Sequence, residues 1–421
     1  MQASFFTLIF VIFLIVQFAI KTWLNVRQSR YVHAHADTVP ATFREQISLQ
    51  AHRKSAAYTL QNLRLSQFEL LYENVILLVF TLMGGIDLIT RGLNRLMLPG
   101  LLQGLCLILI LFTLSYLLQI PFGWYKTFKL EEKFGFNRST PALFIKDLLL
   151  QYLLSLLLGG LLVLGVLYLM QSTQLWWLWA WLFSLLFFSL MMYISPTLLM
   201  PLFNKFSPIQ DGEVKSRIQA LAQRCQFALN GIFVMDSSKR SAHGNAFFTG
   251  FGKNRRIVFF DTLLETLQPA EIESVMAHEL GHFKHKHVLK RMLLMVLAAF
   301  LFFAVLGFVA KQTWFYAGLG VSPEQIAFYP YAHALILFAL VVPIFTFWFT
   351  PLSSWMSRKD EFQADAFAAQ HSDAQQLVAA LLKLYEKNSG TLTSDPIYTA
   401  YYYSHPPAPE RIAHLQAQMS A

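Results

Sequence analysis

The chain has 421 residues, of which 55% are hydrophobic and 14% charged, and its net charge is +9. Soluble globular domains carry roughly 45–50% apolar and about 25% charged residues, so composition argues against a large water-soluble enzyme with an oily core. The positive charge does not call for nucleic acid, because topology accounts for it.

The first apolar run, 4–20, is followed rather than preceded by basic residues, Lys21, Arg27 and Arg30. A cleaved signal peptide has its charge first and a small-residue cleavage site close behind. Ala34-His35-Ala36 lies too far downstream, so the run reads as a retained anchor. Further apolar runs are 68–90, 101–120, 148–170, 175–200, 292–310 and 331–355. Each is close to the length of about 20 residues that crosses a hydrocarbon core of about 30 Å. Pro343 within the last run is tolerated in a membrane helix.

The seven runs leave eight connecting or terminal segments. Lys and Arg number seven in 21–67, five in 121–147, thirteen in 201–291 and five in 356–421; the other side holds only Arg91, Arg95 and Lys311. The positive-inside rule then predicts an outside N-terminus, with 21–67, 121–147, 201–291 and the C-terminal tail in the cytoplasm. The predicted organisation is an anchor with its cytoplasmic segment (1–67), membrane helices two to five (68–200), a cytoplasmic segment (201–291), helices six and seven (292–355) and a cytoplasmic tail (356–421). Segment 21–67 reads as basic, helical and exposed, and 130–137 as an amphipathic interfacial piece. Cys106 and Cys225 have neither disulfide nor metal-pair spacing.

His278-Glu279-Leu280-Gly281-His282 is an H-E-x-x-H motif. On a helix, residues four apart share a face, so both imidazoles can reach one Zn²⁺ with Glu279 beside them as general base; the alternative is a helix with two ordinary histidines. Pro269, Glu271 and Glu273 mark a helix start, and Ile272, Val275, Met276 and Leu280 recur at helical spacing. His285 is about 10 Å further along the helix axis, and the His-based third-ligand pattern would need a histidine at Val288. His285 and His287 therefore read as helix-surface or membrane-interface residues. A catalytic zinc needs a third protein ligand. Glu361 and Asp365, four apart after the last apolar run, read either as a solvated helix face or as a ligand plus the carboxylate that orients a ligand histidine.

HELGH, SRKDEFQADAFA (357–368) and SHPPAPERI (404–412), in this order, together resemble the integral-membrane type I CAAX prenyl endopeptidases. LEEKFGFN (130–137), SPTLLMPLFNKF (195–206) and NAFFTGFGKNRRIVFFDTLL (245–264) extend the resemblance from about Phe68 to the C-terminus. It implies a gluzincin-type zinc peptidase: an all-α polytopic membrane protein, about seven helices around an intramembrane chamber, with a zincin-like core carrying a small edge strand or sheet. It also implies one Zn²⁺ per chain, Glu361 as third ligand, Asn245 positioning the substrate backbone, and His405 and Arg411 beside the metal. Without it, His405 before two prolines reads as a turn residue. The implied partners are the bilayer and a peptide or protein substrate, prenylated or otherwise membrane-associated. Two other readings compete: a quality-control protease of misfolded membrane proteins, and a non-enzymatic transporter or metal-binding scaffold. The few ionisable groups in the spans, Glu69, Glu73, Asp87 and His333, weigh against the last.

Overall fold

The structure, a computed structural model, describes residues 1–249, 255–327 and 329–419. In hydrocarbon the backbone must satisfy its own hydrogen bonds, and the apolar runs accordingly form long helices. α1 (Ala3–Ala34) leads through a loop to α2 (Leu49–Phe80) and the short α3 (Gly85–Asn94). α4 (Gly100–Tyr125) continues through a π-helical turn at Lys126–Glu131, and α5 (Pro141–Ser172) and α6 (Trp176–Ile194) follow. Among the described residues six helices are long and apolar enough to cross a membrane; the bent pair α2 and α3 makes a seventh.

The second span departs from the single helix expected over 68–90. It breaks between Phe80 and Gly85, and the two parts differ in direction by 44°. Gly84 sits at φ 78°, and a Cβ on Gly85 would lie 2.7 Å from the Val79 carbonyl oxygen. Two glycines together permit a bend that a side chain would obstruct. Beyond the bend Asp87 is buried but fully engaged. It accepts from Ser322 N (3.0 Å) and Oγ (2.6 Å) and from Arg91 Nε (2.9 Å). His333 meets Thr90 Oγ1 at 2.8 Å. These intramembrane polar groups tie helices together.

The polar middle of the chain builds a four-stranded sheet from β1 (Phe206–Pro208), β2 (Ile232–Met235), β3 (Ala246–Thr249) and β4 (Arg256–Phe260), in the order β1-β2-β4-β3. β2 and β4 are parallel; β1 and β3 are antiparallel edge strands. Part of the 245–264 stretch, 250–254, lies outside the described residues. α7 (Glu213–Arg224) joins β1 to β2, and α8 (Pro269–Lys284) follows the sheet. α9 (His287–Val309) returns to the membrane. α10 (Pro330–Thr346) runs through a 3-10 turn into α11 (Thr350–His371), so the last span passes directly into the helix that carries Glu361. α12 (Ala374–Lys387), α13 (Pro396–Tyr402) and α14 (Ala408–Met419) close the chain. Ile218, Ile257, Phe259, Met276, Leu280 and Leu377 form one core under the sheet, shared by α7, α8 and α12.

Two segments bury more than their composition suggested. In 21–67, Phe43, Ile47 and Val39 pack with Leu392 and Ile412, so this part is not simply exposed. In 130–137, Leu130, Phe134 and Phe136 pack on Leu65 and Ala242, while Glu132 and Lys133 stay exposed, so the segment is amphipathic and its apolar face braces the fold. Among the spans lies an apolar cavity of about 1500 Å³, lined mainly by α5, α6, α9 and α10 and reaching Ser354 on α11. Seven residues, about 10 Å of helix, separate Ser354 from Glu361.

Candidate metal centre

α8 starts at Pro269, whose missing N–H costs nothing at a first helical position. Gln268 and Glu271 form a capping box, and the Glu271 carboxylate accepts from Gln268 N at 2.7 Å. Lys383 of α12 pairs with the same carboxylate at 2.6 Å. The helix is thus held at its start, and His278 and His282 follow on one face.

α11 approaches α8 at Gly281, where a Cβ would lie 2.8 Å from Ala364 Cα and 3.1 Å from its carbonyl oxygen. The small residue inside the motif lets Glu361 come within reach of both histidines. Gly281→Ala is expected to force the helices apart. Its cost should be about 1–3 kcal/mol, as for overpacked cores, seen as a lower Tm.

The result is a tight triad. Ligand-type atoms of His278, His282 and Glu361 all lie within 4.8 Å of one another. His278 Nε2 is 3.4 Å from Glu361 Oε2, His282 Nε2 is 3.4 Å from Glu361 Oε1, and the two Nε2 atoms are 3.2 Å apart. Glu361 Oε2 is buried and has no hydrogen-bond partner, a costly state for a carboxylate oxygen. Two imidazoles and a carboxylate converging here form a donor set that fits Zn²⁺.

Around the triad the second layer is ordered. His278 Nδ1 lies 2.8 Å from Asp365 Oδ1, in the orientation that turns its Nε2 inward. Arg411, buried, donates to Asp365 through Nε at 2.9 Å and Nη2 at 2.5 Å, and its Nη1 is 3.8 Å from Glu361 Oε2. Burial lowers the His278 pKa, but the neighbouring carboxylates of Asp365 and Glu361 outweigh it and raise it to about 9. A proton therefore competes with a metal ion for this ring. Glu279 lines the cavity beside the triad, and burial raises its pKa above the usual carboxylate range.

This cavity, about 380 Å³, also borders Asn245, Ala246, Tyr385, Asn388, His405 and Arg411. All eight residues singled out from sequence thus lie at or directly behind one site. Asn245 sits immediately before β3, an end strand of the sheet among the described residues. His405 is exposed at the rim with Nε2 3.4 Å from Glu361 Oε1. Its segment is anchored by Arg358, which donates to the carbonyls of Thr399 (3.0 Å) and Tyr403 (2.7 Å) at the end of α13. Arg358, Tyr385 and Asn388 were not apparent from sequence; only Arg358 had a signal, one helical turn before Glu361.

His287 is a correction. It is 1% exposed rather than on the surface. Lys286 adopts φ 57°, which ends α8 and starts a new helix at His287. That turn folds the imidazole back onto the site, with Nδ1 3.0 Å from His282 Nδ1 and Nε2 2.9 Å from Gln363 Oε1. Helical spacing could not foresee this because the helix does not continue. His285 is exposed as expected.

Comparison with known proteins agrees with this geometry. Residues 28–205 match the model of the CAAX prenyl protease N-terminal region, described as five membrane helices, and 208–419 match peptidase family M48. The Arabidopsis thaliana CAAX prenyl protease 1 homolog is 35% identical, over 96% of each chain. The Saccharomyces cerevisiae CAAX prenyl protease 1 is 34% identical, over 96% of this chain and 93% of the relative. The crystal structure of S. mikatae Ste24p superposes with a TM-score of 0.89 at 32% identity, covering 97% of this chain and 99% of that one. With its paired histidines, facing carboxylate and apolar spans, the chain belongs to peptidase family M48 and is a multi-pass membrane metalloendopeptidase of the CAAX prenyl protease group.

Proposed function

We propose that the chain binds one Zn²⁺ through His278, His282 and Glu361 and cleaves the C-terminal peptide from prenylated, membrane-associated substrates. The observation that carries the metal assignment is the convergence of three ligand-type groups, with the buried Glu361 Oε2 making no hydrogen bond. Zinc bound there supplies Lewis-acid polarisation of the scissile carbonyl and acidifies water. Glu279 removes a proton from the attacking water and delivers it to the leaving amine. His405 donates to the developing oxyanion. Arg411 holds Asp365 and, through it, the orientation of His278. The substrate lies extended along the edge of β3 and is aligned by Asn245, a strand-addition mode of binding.

Support for a lipidated substrate comes from the apolar cavity of about 1500 Å³ that ends near Ser354 and from the names of the relatives. A farnesylated peptide and its unlipidated twin test the point. The purified protein should cut the farnesylated form at least about tenfold more efficiently, a margin of about 1.4 kcal/mol. Equal rates would favour the quality-control reading instead.

The membrane orientation we propose has the N-terminus outside and the site in the cytoplasm, resting on the thirty-to-three distribution of Lys and Arg. Engineered cysteines near Arg95 and near Arg256 should react with an impermeant reagent from opposite sides. Labelling of both from one side would refute it.

A further inference from the structure

A peptide added to a strand edge must arrive in one register, because a shift of one residue moves every side chain to the other face and displaces the chain by about 3.3 Å. β3 is a terminal strand whose first residues border the metal cavity. Its start is held on one side by β4, where Phe260 N donates to Asn245 O at 3.0 Å. The preceding residue, Gly244, is held from elsewhere. Asn388 Oδ1 accepts from Gly244 N at 3.2 Å, and Asn388 Nδ2 donates to Gly244 O at 3.5 Å. The carboxamide thus presents an acceptor and a donor to one residue's backbone, as a neighbouring strand would.

Asn388 is itself fixed. Its N–H bonds the Leu384 carbonyl at 2.9 Å at the end of α12, and the next residue, Ser389, is buried with φ 47°. His243 extends the grip. Its Nδ1 lies 3.3 Å from Asn388 Oδ1 and its Nε2 3.4 Å from Glu131 Oε2, while its ring stacks on Phe136 at 4.5 Å. Glu131 accepts from Tyr58 Oη at 2.6 Å. One backbone residue beside the substrate edge is thereby tied to α2, to the π-helical turn after α4 and to the end of α12. Among the described residues, no hydrogen bond from His243 or Asn388 goes to His278, His282 or Glu361.

We infer that Asn388 and His243 are positioning residues that clamp Gly244 and so set the register of the substrate along β3. This rests on the proposed pairing of substrate with that edge. The clamp acts on which bond reaches Glu279, not on metal binding or proton transfer.

The test uses the full chain in detergent with zinc bound. Parent, Asn388→Ala, Asn388→Asp and His243→Ala digest a proteome-derived peptide mixture, and cleavage positions are read by mass spectrometry. KM and kcat are measured on one peptide the parent cuts. Asn388→Ala should raise KM about tenfold, the worth of a lost hydrogen bond or two, and spread cleavage onto neighbouring bonds. Zinc content should be unchanged and kcat within about threefold of the parent. Asn388→Asp keeps the acceptor for Gly244 N and loses the donor, so it should fall between parent and Asn388→Ala. If Asn388→Ala fails to fold, the Asp and His243→Ala variants carry the same comparison.

Unchanged KM and cleavage positions in these variants would overturn the clamp, even with a lower Tm, because the contacts would then be structural only. A peptide N-methylated at backbone amides around the scissile bond separates the two ideas. If the parent cuts it as well as the unmodified peptide, strand pairing fails and the clamp fails with it. If methylation blocks cleavage while the variants match the parent, strand pairing stands and the clamp alone is wrong.

Discussion

Glu279→Gln should retain one zinc per chain and lose about 10²–10⁴-fold in turnover, the contribution of a positioned general base. The substitution keeps the shape and packing of the side chain and removes only its ability to accept a proton. Glu279 lies between the two histidines in sequence but is not one of the three converging ligand-type groups, so metal content and activity separate cleanly. His278→Ala should do the opposite and lose the metal first. Elemental analysis beside single-turnover kinetics distinguishes the two. A Glu279→Gln protein within a few-fold of the parent would refute the assignment.

His405→Ala should lower turnover by about 10²–10³-fold, the worth of a donor at a developing oxyanion, with zinc content unchanged. Pro406 and Pro407 restrict the backbone that follows, and Arg358 fixes the backbone before it through the Thr399 and Tyr403 carbonyls. A side chain exposed at the rim is thereby held against Glu361 rather than free to wander. If the bond forms mainly in the transition state, kcat falls while KM changes little. Weaker binding at normal turnover would make His405 a substrate contact, and loss of zinc would make it part of the ligand shell.

The membrane class, the number of spans and the H-E-x-x-H pair were legible because each is written in local order. Twenty-residue apolar runs and an i, i+4 pair on a helix need no tertiary partner to be recognised. The assignment of Glu361 was different: spacing alone left it open between a solvated face and a ligand, and only the resemblance chose. In the structure Gly281 lets α11 lie directly against α8, which brings Glu361 within 3.4 Å of both histidines.

What tertiary structure alone decided lies where the chain breaks its own period or where distant segments meet. Lys286 in a left-handed conformation turned His287 from an expected surface residue into a buried neighbour of His282. The glycines at 84 and 85 bent a span that its hydropathy presented as straight. Asn388 meets Gly244 across 144 residues of sequence, and His243 meets Glu131 across 112. Hydropathy and helical periodicity report which face of an element is apolar; they carry no information about contacts between elements so far apart. The sequence by itself thus determined the H-E-x-x-H pair and the solvent the helices live in. Folding determined which residues hold that chemistry in place, because those contacts form only when separate elements pack.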